Sequence, residues 1–229
     1  MQQGSQLATE LPGLPGLPGL PGTSRPGGRT ERTHVAVLRA TLDLLAEVGF
    51  ADLTVEAVAE RSGVHKTTVY RRWESREGLV AAAVRFGAEE PWSPADTGSL
   101  VADLRQMALD VVRALTSPGQ RELPTAAVLA AFHSERAAEA LREFYRDRHA
   151  RAAVIVERAA ARGEVPADTD PDEVTRTVCG PVFYRLFVSR EPVSEATAEV
   201  AAEAGAAAAR AGVLRRRLPG RGDGGLIPG

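Results

Sequence analysis

The chain is short of most groups that carry chemistry. Its 229 residues include one cysteine, Cys179, so no intrachain disulfide can form. That suits a reducing compartment. The four histidines, His34, His65, His133 and His149, show neither an HExxH pattern nor an i, i+4 pair, so no metal site is expected. There is no glycine-rich phosphate loop, and no pair of carboxylates is picked out by spacing. Cys179 has no histidine near it in sequence and reads as a small buried hydrophobe rather than a nucleophile. An enzyme and a bound cofactor are therefore not expected. No apolar run approaches the roughly 20 residues that span a membrane. The first residues, MQQGSQLATE, lack the basic start and apolar core of a secretion signal, which makes the cytoplasm the expected compartment. Lysine is nearly missing, with Lys66 alone among 28 lysines and arginines, and the net charge is −2. A nucleic-acid site, if present, must be a local patch.

What is abundant points to helix. The length fits one large domain or two small ones. Many of the 22 glycines and 15 prolines fall in the tails, and the middle is rich in Ala, Val, Leu, Arg and Glu. Residues 1–28 read as an unpacked tail, because Leu11 to Gly22 repeats Leu-Pro-Gly four times. Arg25 and Arg29, just before the first helix, are either an arm reaching a DNA groove or simply solvated.

The organising stretch is TVEAVAERSGVHKTTVYRRW, Thr54 to Trp73. Thr54 suits an N-cap, Val55, Val58 and Ala59 share a face, and Gly63 sits where the chain must turn. The next helix, about His65 to Trp73, buries Val69 and Trp73 four apart and leaves a polar, basic remainder. From Arg61 to Arg76 there are five cations against one anion, Glu74, a local charge of +4. This is a helix-turn-helix pattern. A purely structural helical hairpin with an Arg-rich face has the same outline. Upstream, a helix over 30–48 presents Val35, Leu38, Leu42 and Leu45 and ends at Gly49. With Phe50, Leu53, Val58, Val69 and Trp73 it should close a small core.

The run LDLLAEVGFADLTVEAVAERSGVHKTTVYRRWESREGLV resembles the DNA-binding domain of the tetracycline-repressor-like (TetR) family over about residues 32–84. The resemblance rests on Gly-Phe before Leu-Thr, the Gly-Val turn, Thr-Val-Tyr-Arg-Arg-Trp and the Ser-Arg-Glu-x-Leu that follows. It implies that Thr54, Thr68, Tyr70, Arg72 and Arg76 hold phosphates, and that His65, Lys66, Thr67 and Arg71 approach base edges. Arg76 stands for a more usual lysine and His65 for a common serine, which leaves the contact of His65 open. Long donors such as Lys66 and Arg71 can reach guanine O6 and N7 in the major groove.

A further helix over 75–88 links this domain to the rest, and the Pro/Gly-rich stretch 89–98 is a loop. Helices are then expected over 99–116, 123–133, 134–162, 171–188 and 194–214, with 215–229 an unstructured tail. The stripe on the first is Leu100, Leu104, Met107, Val111 and Leu115. The fold class is all-α: a helix-turn-helix domain over 29–88 and a helical ligand-binding and dimerisation domain over 99–214. CGPVFYRLFVSREPV resembles the penultimate helix of one subgroup of the family. The resemblance implies a homodimer through the last two helices, with Ala201, Ala202, Gly205, Ala208 and Ala209 allowing close approach. It also implies a pocket for a small molecule of unknown identity, with Met107, Phe132, His133, Phe144, Tyr145, Phe183, Tyr184 and Phe187 as candidates. Each of these is also an ordinary core residue type. The expected function is a regulator binding a double-stranded DNA operator, a repressor released by a ligand. An activator of the same family, or a helical interaction protein without DNA binding, is the alternative.

Overall fold

The computed structural model describes residues 28–88 and 92–216. The Leu-Pro-Gly repeat, Arg25 and residues 217–229 lie outside the described residues. Those described form nine α-helices and no strand: α1 Arg29–Val48, α2 Val55–Ser62, α3 Lys66–Trp73, α4 Arg76–Ala88, α5 Leu100–Thr116, α6 Glu122–Ala131, α7 Glu135–Ala161, α8 Pro171–Phe183 and α9 Glu195–Arg210. Local chemistry sets most ends. The Thr54 hydroxyl accepts from the Ala57 N–H at 3.1 Å and starts α2. Gly63 ends it with φ 67° and ψ 15°, a left-handed conformation that costs a glycine nothing. Asp170 caps α8 by accepting from the N–H groups of Asp172 and Glu173, with Pro171 at the first helical position.

The expected single helix over 171–188 is two elements. Pro181 has no N–H to donate, and at Tyr184 the helix widens into a π turn, Tyr184–Ser189, which Arg190 closes at φ 60°. The C-terminal boundary also moves. Arg216 N–H donates to Asp168 O at 2.8 Å and Asp170 N–H to Leu214 O at 2.7 Å, so residues 215 and 216 pair with the loop before α8 instead of belonging to a free tail.

Two hydrophobic cores result. One joins α1 to α4 with Ala126, Ala127 and Ala130 of α6 and Ala137 and Ala140 of α7. The other joins α5, α8 and α9 with Ala152, Ile155, Val156 and Ala159 of α7. The 27-residue α7, about 40 Å long at 1.5 Å per residue, is common to both. The core of the helix-turn-helix differs in detail from expectation. Val37, Thr41 and Leu44 are buried, while Val35, Leu42 and Phe50 are half-buried. The buried face of α1 is rotated because α4 and α6 pack on it as well as α2. On α5, Val112 rather than Val111 is buried. Asp103 is buried as well, its Oδ1 accepting from the Thr97 N–H at 2.8 Å and hydroxyl at 2.7 Å, which fixes the loop entering α5.

The small residues of α9 act within the chain. Ala201, Ala202, Gly205 and Ala209 are buried in the single chain, with Ala208 half-buried. A Cβ at Gly205 would stand 2.5 Å from Val178 Cγ2 of α8. Close approach is thus used between α8 and α9 of one protomer. Gly205→Val should lower stability by about 1–3 kcal/mol through overpacking. Adding Val178→Ala should restore part of the melting temperature, and a double variant no more stable than Gly205→Val would show that the contact is not the cause.

Candidate nucleic-acid interface

An eight-residue helix is too short to hold its shape alone. Packing supplies what length does not. Val69 and Trp73 of α3 are buried, and the Trp73 ring lies 5.8 Å from that of His34 in near-parallel stacking, with the Arg72 guanidinium 5.1 Å from its centroid. Trp73 is a core residue, as its spacing from Val69 requires. The opposite faces are left to solvent: His65, Lys66, Thr67, Tyr70, Arg71 and Arg72 are exposed and Thr68 is half-buried.

Several of these groups are already engaged. His65 is the residue before α3, and its Nδ1 lies 2.9 Å from the Thr67 hydroxyl. The Tyr70 hydroxyl donates to Glu56 Oε1 at 2.7 Å, tying α3 to the first turn of α2. That bond holds the Glu56 carboxyl below its ordinary range and pushes the Tyr70 phenol up. Arg61 makes a two-pronged pair with Glu47 of α1 at 2.8 and 2.7 Å, which lowers Glu47 and raises Arg61. Arg76 is half-buried and engaged by the fold. Its Nη1 donates to Ala51 O at 2.8 Å, its Nε lies 3.0 Å from Glu77, and its guanidinium sits 4.7 Å over the Phe50 ring. Two of the five cations counted in the sequence are therefore paired. Lys66, Arg71 and Arg72 form no salt bridge among the described residues. The partner of Arg61 lies 14 residues away, beyond any local pattern.

A cleft of about 680 Å³ opens beside α3. Thr30 and Thr33 of α1 form one wall and His65, Thr68, Arg71 and Arg72 the other. The two threonines of α1 belong to no motif that would mark them in the sequence.

In the second half the pocket candidates separate. Phe144, Tyr145, Phe183 and Phe187 form a chain of rings with centroids 5.4, 6.0 and 5.8 Å apart. Arg148 lies 5.1 Å over Phe144 and 6.0 Å over Trp92, whose indole N–H donates to Asp110. Burial pushes Tyr145 up to about 12 and the neighbouring Cys179 thiol up to about 11, so the thiolate that reaction requires is scarce at neutral pH. Met107 is buried in the second core. Three candidates do not join. Phe132 is 80% exposed and His133 is exposed, because α6 ends at Ala131 and both fall in the turn before α7. Tyr184 is 60% exposed, turned out where the π turn begins. Among the described residues no group of three His, Cys, Asp or Glu is placed to hold a metal ion, and no helix is long and apolar enough to cross a membrane.

A basic helix anchored on a small helical core and followed by a larger helical half defines a helix-turn-helix regulator of transcription. The family model described as "Bacterial regulatory proteins, tetR family" matches residues 37–83, and "Tetracyclin repressor-like, C-terminal domain" matches residues 94–205. The HTH-type transcriptional regulator YdeS of Bacillus subtilis is 33% identical over 171 residues, 73% of this chain and 84% of that protein. The DNA-binding transcriptional repressor TetR of Mycobacteroides abscessus is 29% identical over 147 residues, 62% of this chain and 75% of that protein. Among solved structures, the TetR family transcription regulator SCO0332 superposes with a TM-score of 0.61 at 29% identity, covering 77% of this chain and 97% of that one. The chain belongs to the TetR family of bacterial DNA-binding transcriptional regulators.

The engagement of Arg76 has a measurable consequence. Arg76→Ala removes a charged donor from the Ala51 carbonyl and should cost about 1–2 kcal/mol of stability in the absence of DNA. An unchanged melting temperature would assign Arg76 to DNA contact alone.

Proposed function

We propose that the protein acts as a homodimer on a two-fold-symmetric operator, represses transcription there, and is released by a small-molecule ligand. The observation that carries the DNA-binding part is α3: two apolar anchors fix it, and Lys66, Arg71 and Arg72 are exposed on it and form no salt bridge among the described residues. In this reading Lys66, Thr67 and Arg71 reach base edges, with His65 beside them. Thr54, Thr68, Tyr70 and Arg72 hold phosphates, which set register without reading sequence. Arg76 joins them chiefly by holding the turn that carries Thr54. Tyr70 serves if its hydroxyl turns from Glu56 to a phosphate oxygen. Two such helices enter successive major grooves about 34–36 Å apart.

Dimerisation is supported by the outward faces of the last helices. Val200, Ala204 and Ala207 recur at helical spacing on the exposed side of α9, with Ala211 just past its end, and Val200 is 66% exposed. Tyr184 and Val188 are exposed after α8. Exposed apolar stripes of this kind mark association surfaces. Ligand control is supported by α7. It carries Phe144, Tyr145 and Arg148 of the aromatic cluster, and nearer its start Arg136 lies 3.4 Å from Glu74 and Glu143 lies 3.0 Å from Arg85. Glu74 follows α3 directly and Arg85 is on α4. A ligand seated among the rings acts on α3 only through its differential affinity for two arrangements of these helices.

Selection of bound duplexes from a random pool, followed by sequencing, tests the reading. A two-fold-symmetric consensus is expected, and no enrichment at low salt would end it. On that consensus, Arg72→Ala should weaken all sequences alike. Lys66→Ala should flatten preference at one position by about 1–3 kcal/mol if its contact is to a base. A uniform loss for Lys66→Ala would move it to the phosphate set. Val200→Glu should shift the protein towards monomer in sedimentation while its helicity is kept, and an undisturbed dimer would place the interface elsewhere.

A further inference from the structure

The stretch 92–98, between α4 and α5, has no regular secondary structure and is held on α5 and α7 by side chains. It makes no backbone–backbone hydrogen bond among the described residues. Arg158 of α7 donates to Ala95 O at 3.2 Å and lies 3.4 Å from Asp96. Thr97 is bound by Asp103 of α5, whose other oxygen, Oδ2, is buried without a hydrogen-bond partner among the described residues. A buried oxygen left unpaired is costly, and opening of this stretch relieves that cost.

Trp92 is the apolar anchor of the stretch. Its half-buried ring packs against the second core, 6.0 Å from the Arg148 guanidinium, which also lies 5.1 Å over Phe144 at the start of the chain of rings. Its indole N–H donates to Asp110 Oδ2 at 3.3 Å, just beyond the usual range. Gln106 and Arg113 donate to Asp110 Oδ1, so Trp92 is the group that serves Oδ2. A guanidinium stacks by its face while its N–H groups, which lie in plane, bond elsewhere. The seat of Trp92 therefore offers a flat ring a cationic face, an aromatic cluster beside it and one anionic acceptor. A neutral ring with an N–H at its edge satisfies all three. A ring without a donor leaves Oδ2 unpaired, and a carboxylate is repelled by Asp110.

We propose that Trp92 is an internal occupant of the effector site, on the reading that ligand control acts through the ring cluster, and that the ligand is a neutral planar heteroaromatic molecule with a ring N–H. It takes the place of the indole against Arg148 and Asp110. Displacement of Trp92 releases 92–98 and pulls on α4, because only residues 89–91 separate Trp92 from Ala88 at its end. A self-occupied site binds its ligand with an affinity lowered by the closed fraction, so one contact sets both effector affinity and the hold on α4.

Indole is the probe, and benzofuran, its oxygen isostere, is the control without a donor. Both are titrated into the isotope-labelled full-length protein without DNA. In wild type, indole at millimolar concentration should shift the Trp92 indole N–H resonance saturably, with Trp92→Phe assigning that resonance. Trp92→Ala should bind indole about tenfold or more tightly than wild type, since the internal competitor is gone. It should prefer indole to benzofuran by about tenfold, and Asp110→Ala added to it should abolish the preference. A wild-type Trp92 resonance unmoved by indole would make Trp92 ordinary core packing, even if Trp92→Ala fills its hole. Equal affinity for the two probes in Trp92→Ala would also overturn the inference. If Trp92→Ala does not fold, Trp92→Phe, which keeps a ring and loses the N–H, should still bind indole more tightly than wild type, and equal affinity there would overturn it. On a duplex recovered by selection, indole should weaken wild-type binding severalfold and leave Trp92→Ala unaffected. Displacement of Trp92 with no effect on the duplex would separate the seat from ligand control and overturn the inference while DNA recognition stands. Failure to enrich any duplex would instead end the proposed function, and the resonance shifts distinguish the two failures.

Discussion

The structure depends on α7 being shared. Its first turns are buried with the helix-turn-helix and its last with α5, α8 and α9. Close-packed interiors deform little, so a helix buried at both ends cannot slide in one core without disturbing the other. The two halves are packed on each other, because α4 lies against both α6 and α7. The connection between the halves is a helix interface, not a linker.

The recognition helix inherits its position from that interface. Eight residues with two buried anchors have no orientation of their own. Trp73 packs against His34 of α1 and the guanidinium of Arg72, and Glu74, at φ 67°, turns the chain towards α4. Arg136 meets Glu74 and Glu143 meets Arg85, seven residues apart on one helix. These are exposed pairs and contribute little stability each. Their value is in register: they bias which turn of α7 lies against which end of α4. A two-state shift of α7 would therefore be felt at α3 as a change of direction.

Much of this was legible in the chain, and for identifiable reasons. Thr54, Gly63, Val69 and Trp73 form a local code, in which each residue satisfies a need created within one or two turns, and the structure places each as read. α1 likewise stops at Gly49, as its glycine signals. The exact face of α1 was not legible. Choosing Val37 and Leu44 over Val35 and Leu42 requires knowing that α4 and α6 also pack there. The π turn was hidden because Pro181 signals a lost hydrogen bond but not how the helix absorbs it. Ala201, Ala202 and Gly205 read as an interface between chains, and small residues do mark close approach. Sequence alone does not say whether the approaching helix is Val178 of the same chain or of another. At the site, hydroxyl and cation types were readable, but their engagement was not. Glu47 and Glu56 lie 14 residues from Arg61 and Tyr70, and Thr33 joins α3 only through the fold.

The charge distribution connects these points. The protein carries a net −2, and pairing with Glu47 and Glu77 takes Arg61 and Arg76 out of the basic patch. Three cations remain on α3. Each neutralised phosphate steepens the salt dependence by only about 0.9, so in the proposed complex the cations of one recognition helix would give a modest sequence-independent hold on DNA. In the proposed dimer, useful affinity then requires both recognition helices to be seated at once. The second contact is intramolecular only if the spacing fits the operator, and its advantage disappears when geometry forbids simultaneous engagement. A strongly basic protein would stay on DNA after a small change of spacing. In the proposed mechanism, one with only three cations outside salt bridges on its recognition helix would not, and a shift relayed through α7 would serve as the switch.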